Sequence, residues 1–244
     1  MAKQKGAIRI EGTLDNLSFY SSVFGDIVRR KGGASKEKIR KSPKFKRLRS
    51  YQEEFTNCIK VAKLLRYSVY AFSKKAPDHK LVGRVNKLMI ALKNLDSEAV
   101  EGKRLVTAGL ETDEGQLLLQ GFEFNSNVTL DTLLKVEPVI EKGKIVFKDL
   151  ITKKHIKAPK PASGVKITVI ISKIDPKNNK HYESNASIKL KLDMKKQTIV
   201  LHPKAIKEAG FTFYFLQIVF LYEGMEVTKE MQKSNCLTLL TMAG

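Results

Sequence analysis

The sequence predicts an α+β fold in which an N-terminal β-hairpin and a helical hairpin precede an antiparallel β-sandwich-like domain. Short apolar runs before residue 31 indicate strands, apolar residues three and four apart between 51 and 95 indicate helices, and strand-length apolar runs follow from about residue 110. With 244 residues, of which 42% are hydrophobic, the chain can build a substantial core. We predict a basic hairpin and helical module at 1–105 and a β-rich, sandwich-like domain at 106–244.

The first elements are short strands within residues 6–30, GAIRIEGTLDNLSFYSSVFGDIVRR. Asp15-Asn16 and Gly25-Asp26 are the predicted turns between them, which gives a hairpin or a three-stranded meander. Residues 31–35, KGGAS, form a predicted flexible joint. Ser42-Pro43 then indicates a helix start, because Ser caps helices and Pro suits the first helical position.

Two helices follow, at about 43–72 and 79–95, and each carries one apolar stripe. The first stripe is Tyr51, Phe55, Cys58, Ala62, Leu65, Val69 and Phe72, and the second is Leu81, Val85, Leu88, Leu92 and Leu95. Matching stripes predict an antiparallel helical hairpin. We also expect Ser97 to cap a short third helix that ends at about Arg104.

The sequence after about residue 110 predicts almost only strands, separated by turns rich in Gly, Asn, Asp and Pro. Ile188, Leu190 and Leu192 alternate with polar residues, as in an antiparallel strand with one solvated face. The run Phe211 to Tyr222 is rich in aromatic and β-branched residues and predicts a buried strand. Regularly spaced short strands of this kind indicate a β-sandwich.

Positive charge is concentrated in the first part of the chain, although the whole chain has a formal net charge of +20. Residues 1–105 contain 25 basic and 10 acidic side chains, against 20 and 15 in residues 106–244. The densest stretch is 29–49, where Glu37 is the only acid. Its eleven cations are the predicted nucleic-acid-binding residues: Arg29, Arg30, Lys31, Lys36, Lys38, Arg40, Lys41, Lys44, Lys46, Arg47 and Arg49.

A segment of this kind predicts a polyanionic partner, DNA or RNA or another polyanion, because Lys and Arg release counterions when they neutralise phosphates. Phe19, Tyr20, Phe24, Phe45 and Tyr51 lie nearby in the sequence. Aromatic rings stack on bases, but strand and helix faces also need such rings for packing. The sequence contains no RNP, KH or zinc-finger pattern that would choose between nucleic acids.

Enzyme signatures are missing from the sequence. His79, His155, His181 and His202 are scattered without a second ligand at metal-binding spacing, and we expect His155 to be a surface residue. The sequence has neither a complete phosphate-binding loop nor a Gly-x-Ser-x-Gly motif, and residues 110–116, LETDEGQ, suit a solvated turn. We therefore predict a protein that is not an enzyme, with no catalytic residue, metal ligand, cofactor or small-molecule substrate.

The cysteines and the apolar runs indicate the cellular compartment in which we expect the protein. Cys58 and Cys236 are far apart and lie in apolar patterns, so we expect two buried thiols in a reducing environment. The first residues, MAKQKGAIRIEG, lack the apolar region of a secretory signal, and no apolar run reaches the length of a membrane helix. These patterns predict no membrane partner and a location in the cytoplasm or within a virion-like particle.

The N-terminal motifs Leu17-Ser18-Phe19-Tyr20, Arg30-Lys31-Gly32-Gly33 and Pro43 to Arg49 resemble those of a family of uncharacterised Bacteroidota proteins. Those proteins often sit in phage-like or mobile-element surroundings, and their C-terminal part is β-rich. The resemblance covers about the first 70 residues and implies no enzyme activity and no catalytic residue.

Two functions remain open at this point. The first is a nucleic-acid-binding or polyanion-binding protein whose β-rich part serves as scaffold. The second is a self-assembling structural subunit of a phage or phage-like particle, with its basic arm facing the genome or an acidic neighbour. A small oligomer would favour the first and a large symmetric assembly the second.

Overall fold

A computed structural model of the chain describes residues 2–3, 10–141, 143–226 and 231–243. The chain forms two compact units, residues 1–49 and residues 50–244. The division falls inside a long helix, whereas the predicted boundary between 105 and 106 falls inside the second unit. Helices and antiparallel sheets are both present, which confirms the α+β class.

The first unit contains a four-stranded antiparallel sheet, with strands in the order β1-β4-β3-β2. Its elements are β1 (Ala2–Lys3), β2 (Gly12–Leu14), β3 (Leu17–Ser22), β4 (Gly25–Arg30), helix α1 (Lys36–Lys41) and a 3-10 helix (Pro43–Phe45). None of the side chains described between residues 10 and 49 is buried. This unit therefore has no hydrophobic core of its own within the part described.

Two local features of the first unit differ from the sequence prediction. The second turn is Val23-Phe24 rather than Gly25-Asp26, because Ser22 pairs with Gly25 and places both predicted turn residues in β4. Helix α1 was not predicted. Its cap is Ser35, whose hydroxyl accepts a hydrogen bond from the Lys38 amide at 3.2 Å, whereas the Ser42 side chain makes no capping hydrogen bond.

The second unit begins with helices and continues into strands. Its elements are α2 (Lys46–Ser68), α3 (Tyr70–Ser73), α4 (Leu81–Asn94), α5 (Val106–Leu110), α6 (Asp113–Leu119), β5 (Phe122–Glu123), α7 (Leu130–Leu133), β6 (Val139–Glu141), β7 (Lys144–Ile151), α8 (Thr152–His155), β8 (Gly164–Asp175), β9 (Lys180–Lys191), β10 (Lys196–Leu201), β11 (Phe211–Tyr222), β12 (Met225–Glu226), a 3-10 helix (Met231–Ser234) and β13 (Cys236–Ala243).

Three layers make up this unit, and its larger sheet is the central one. That sheet has the order β5-β13-β11-β8-β9, and β12 pairs with the end of β11. Along β11, Phe213 and Phe215 pack with the helices, whereas Leu216, Ile218 and Phe220 pack with a second sheet of order β10-β7-β6. Side chains alternate across a strand, so β11 and β8 bury both faces. The two packed sheets confirm the predicted sandwich-like arrangement.

The helical hairpin is confirmed in the layer on the other face of the central sheet. Lys93 of α4 donates a hydrogen bond to Glu54 of α2, and Arg66 donates to Asn86 at 3.1 Å. These pairs occur in opposite order along the two helices, so the helices are antiparallel. Cys58, Ala62, Leu65 and Val69 of the predicted first stripe are buried, and Val85, Leu88 and Leu92 of the second are buried opposite them.

Other predictions for this unit are wrong. Phe55 is 54% exposed, and the neighbouring Glu54 is buried instead. Residues 97–104 form no helix, because the Asp96 carboxylate accepts hydrogen bonds from the Ala99 and Leu105 amides and holds the segment as a loop. Short helices α6, α7 and α8 lie after residue 110, where almost only strands were expected. No helix of the described residues is both long and apolar enough to cross a membrane.

Candidate nucleic-acid interface

Residues 29–49, here called the basic segment, run from the end of β4 through α1 and the 3-10 helix to the first turn of α2. Helix α1 has Glu37 in its first turn and Lys38, Arg40 and Lys41 in its last turn. This distribution complements the helix dipole, so the cations stabilise the helix that presents them. Local helix preference and charge therefore act together to give the segment a defined backbone.

Ten of the eleven predicted binding residues are exposed. They are Arg29, Arg30, Lys31, Lys36, Lys38, Arg40, Lys41, Lys44, Lys46 and Arg47. The acid of the segment, Glu37, pairs with Lys41 at 2.6 Å within the same helix, and both side chains are mostly solvated. An exposed pair of this type contributes little stability, so Lys41 can exchange its partner at small cost.

Arg49 differs from the other ten cations. It is half-buried, and its Nη1 donates hydrogen bonds to the carbonyl oxygens of Ile39 at 2.6 Å and Ser42 at 2.8 Å. These carbonyls lie where α1 ends and the 3-10 helix begins. Arg49 thus joins consecutive elements of the basic segment, a role that its charge alone did not reveal.

The aromatic residues near the basic segment divide between solvent and protein contacts. Phe24, at the tip of the β3–β4 hairpin, is 76% exposed. Tyr20 lies 5.5 Å from the Arg29 guanidinium, measured to the ring centroid, and faces the opposite side of β3 from Phe19. Tyr51 donates a hydrogen bond to Glu101 at 2.5 Å. Phe24 is therefore the most open ring of the predicted group.

Within the described residues, no group of three or more His, Cys, Asp or Glu side chains is placed to hold a metal ion. His155 was expected at the surface but is half-buried, and its Nδ1 accepts a hydrogen bond from the Ile151 amide. Cys58 and Cys236 are buried, as predicted. Burial raises the pKa of both thiols, that of Cys236 to about 12, so both are protonated and unreactive at neutral pH.

A second basic surface, on helix α2 and the β8–β9 hairpin, was missed by the sequence analysis. Lys60, Lys63 and Tyr67 of α2 line a cavity there together with Lys177 and His181. The signal in the sequence was the spacing of Lys60, Lys63, Tyr67 and Tyr70, which places them on one side of a helix, opposite the buried stripe. The contribution of the hairpin could not be foreseen, because it depends on the tertiary fold.

Comparisons with protein-family models, curated proteins and solved structures return no match to this chain. The resemblance of its N-terminal motifs to the Bacteroidota proteins therefore stays a prediction.

Proposed function

We propose that this protein is a non-enzymatic polyanion-binding protein that holds nucleic acid through the basic segment. The observation that carries the proposal is the exposure of ten of the segment's eleven cations around a single acid. Neutralising phosphates with these side chains releases counterions, and Arg adds paired hydrogen bonds to phosphate oxygens. Contacts of this type position a protein on nucleic acid without selecting a base sequence.

The salt dependence of binding tests this proposal. In one variant, Gln replaces six exposed cations, Arg30, Lys31, Lys36, Lys38, Arg40 and Lys44, and leaves Arg29, Lys41 and Arg49 with their partners. If all six contact phosphates, the slope of log K against log salt on duplex DNA should shrink by about 5, at about 0.9 per contact. Fluorescence anisotropy at four or more salt concentrations measures the slope.

The matched control replaces six exposed lysines of the second unit with Gln: Lys144, Lys153, Lys154, Lys157, Lys191 and Lys195. It changes the net charge by the same amount and should leave most of the slope intact. Equal losses from the two variants would replace the local site with a diffuse effect of net charge. Absence of binding by the parent at low salt would reject the proposal.

The open N-terminal sheet favours a second candidate, a self-assembling structural subunit of a phage-like particle. Leu14, Leu17, Val23 and Phe24 are between 42% and 95% exposed, and none of the side chains described between residues 10 and 49 is buried. Leu14 pairs with Leu17 at one end of β3, and Val23 and Phe24 form the turn at its other end, so exposed apolar side chains at both ends of the strand offer contact points to a neighbouring subunit. Native mass spectrometry distinguishes the candidates, because a particle subunit should form large symmetric assemblies and a binding protein should not.

A further inference from the structure

A cavity of about 570 Å³ lies in the second unit between helix α2 and the β8–β9 hairpin. The buried side chains of Val61 and Leu64 contribute to its apolar lining, and its polar lining contains three lysines, Lys60, Lys63 and Lys177, together with Tyr67, Asn179 and His181. None of the described residues that line it is acidic. A cavity of this size is in the range that holds small ligands or a few groups of a longer one.

The fold brings these side chains together from two elements. Cys58, Ala62 and Leu65 are buried on the opposite side of α2, which leaves Lys60, Lys63 and Tyr67 exposed to solvent. His181 pairs with Ile174 across β8 and β9, and Ile174 packs with the helices, so His181 lies on the face of the sheet that the helices cover. Glu183 lies two residues after His181 on the same face and is the acidic residue of β9.

An aromatic pair extends this surface beyond the cavity. The rings of Tyr67 and Tyr70 are stacked, with centroids 5.8 Å apart and planes 15° apart, and the two residues are 53% and 51% exposed. Lys63 places its Nζ 5.3 Å from the Tyr67 ring centroid, and Lys74 places its Nζ 4.5 Å from the Tyr70 centroid. Each of the two stacked, half-exposed tyrosine rings thus has a lysine ammonium group next to it.

Ligand chemistry follows from this combination of rings and ammonium groups. A solvated cation–π contact is weaker than the stacking of a nucleobase on an aromatic ring, which is worth roughly 5- to 150-fold in binding per base. A base can therefore replace a lysine on a tyrosine ring, and the released ammonium group is then available to a phosphate of the same strand. Duplex nucleic acid keeps its bases stacked on one another and cannot use the rings in this way.

We infer that the surface formed by Lys60, Lys63, Tyr67, Tyr70, Lys74 and Lys177 binds single-stranded nucleic acid. Tyr67 and Tyr70 stack with bases, and the four lysines contact phosphates. The site goes beyond the proposed function, because it lies in the other unit, uses stacking and distinguishes single strands from duplexes. The basic segment relies on phosphate charge and makes no such distinction.

Three labelled probes of equal length and matched backbone chemistry test the inference on the full chain: a thymidine single strand, an abasic single strand and a duplex. The parent should bind the thymidine strand at least tenfold more tightly than the abasic strand. Replacing both Tyr67 and Tyr70 with Ala should remove this difference and leave duplex affinity within about twofold, since each stacked base contributes roughly 5- to 150-fold.

Two controls separate stacking from folding. Tyr67→Phe with Tyr70→Phe keeps both rings and should keep the preference for bases, whereas Tyr222→Ala removes a 44% exposed tyrosine at another position and should change nothing. Circular dichroism checks that each variant is folded. Equal affinity of the parent for thymidine and abasic strands would overturn the inference, and so would an unchanged preference in the double Ala variant.

The same probes keep this inference separate from the proposed function. Neutralising the six cations of the basic segment should weaken binding of all three probes while preserving the preference of the thymidine strand over the abasic strand. If that variant binds all probes as the parent does, the proposed function fails and the stacking site stands. If the parent binds all three probes but does not prefer the thymidine strand over the abasic strand, the inference of a stacking site is wrong and the proposed role of the basic segment stands.

Discussion

At the scale of single residues, Asp78 illustrates how one side chain can organise a junction. Its carboxylate accepts hydrogen bonds from the Lys80 amide at 2.7 Å and from the Ser126 hydroxyl and amide at 2.7 and 3.0 Å, and pairs with Arg84 at 2.8 Å. Burial alone would raise its pKa, but these hydrogen bonds and Arg84 outweigh burial and lower the pKa to about 2. The charged form therefore ties the start of α4 to the loop around Ser126.

We expect Asp78→Asn to remove part of the acid sensitivity of folding. A folded pKa below the unfolded value of 3.8 adds stability above that value, and this stability is lost as the pH falls from about 4 to about 2. The lowered pKa of Asp78 corresponds to about 2 kcal/mol of unfolding free energy at pH 7. Solvent screens this contribution little, because the Asp78 side chain is 5% exposed. Urea unfolding at pH 7, 4 and 2.5 measures the difference between parent and variant, and a difference that is constant across this range would contradict the assignment.

Arg49 gives a second prediction at this scale, because it has the charge of a binding residue but the contacts of a structural one. Arg49→Gln should leave the salt slope of DNA binding unchanged, whereas Lys46→Gln, an exposed neighbour, should reduce it by about 0.9 if Lys46 contacts phosphate. Hydrogen exchange at amides 39–45 should accelerate in Arg49→Gln, since the Ile39 and Ser42 carbonyls lose their donor. Unchanged exchange would show that Arg49 does not hold these elements together.

At the scale of elements, helix α2 changes its environment along its length. Its C-terminal half buries Cys58, Ala62 and Leu65 in the helical core. Near its N-terminal end, the buried residue is Glu54, which accepts hydrogen bonds from Lys93 and, at 3.0 Å, from the Arg104 amide. Burial raises the Glu54 pKa, but these bonds and the Lys93 charge outweigh burial and lower it. Cys58 is therefore the first buried residue of the apolar stripe. Phe55, three residues earlier, continues the spacing of the stripe but is exposed.

Paired alanine substitutions test this change of environment. Leu65→Ala should cost about 2–5 kcal/mol of unfolding free energy, because Leu65 is 0% exposed and its removal leaves a cavity. Phe55→Ala should cost less than about 1 kcal/mol, although the ring is larger, because it is 54% exposed. Urea denaturation of both variants provides the comparison. A cost of about 3 kcal/mol or more for Phe55→Ala would place the ring in a core.

Periodicity predicted the elements whose burial follows a single pattern. The helical stripes located α2 and α4, and the apolar run Phe211–Tyr222 coincides with β11. The prediction of almost only strands after about residue 110 is wrong at Leu117 to Leu119, which lie in α6, because three consecutive apolar residues do not distinguish the two periods. The local signal was Thr112, whose side chain caps α6 by accepting from the Gly115 amide at 3.0 Å.

The candidate sites were predictable only as far as charge density allows. Eleven cations around one acid located the basic segment, but Arg49 could be distinguished only when its distance to two carbonyls was known. The tyrosine pair was hidden for a related reason. The spacing of Tyr67 and Tyr70 suits either packing or exposure, and the β8–β9 hairpin that completes the surface lies more than 100 residues away in the sequence.

At the scale of the whole molecule, the two hydrophobic cores share the central sheet of the second unit. One core joins α2 and α4 to β8, β11 and β13, and the other joins the same strands β8 and β11 to β7 and β10. Both are built from residue 58 onward. The helices predicted for residues 1–105 therefore cover one face of the central sheet, which residues 106–244 form.

Two truncations distinguish this arrangement from independent folding of residues 106–244. Removing 1–42 should leave a chain that unfolds cooperatively with nearly the parent midpoint, because the removed residues contribute no buried side chain in the part described. Removing 1–105 should abolish cooperative unfolding, because it uncovers large apolar side chains such as Ile170, Phe213, Phe215 and Leu239. Uncovering four such side chains costs on the order of 10 kcal/mol, comparable to the whole stability of a typical domain. Circular dichroism and urea titration measure both fragments, and a cooperative, strand-rich transition in 106–244 would show that the sandwich folds without its helical layer.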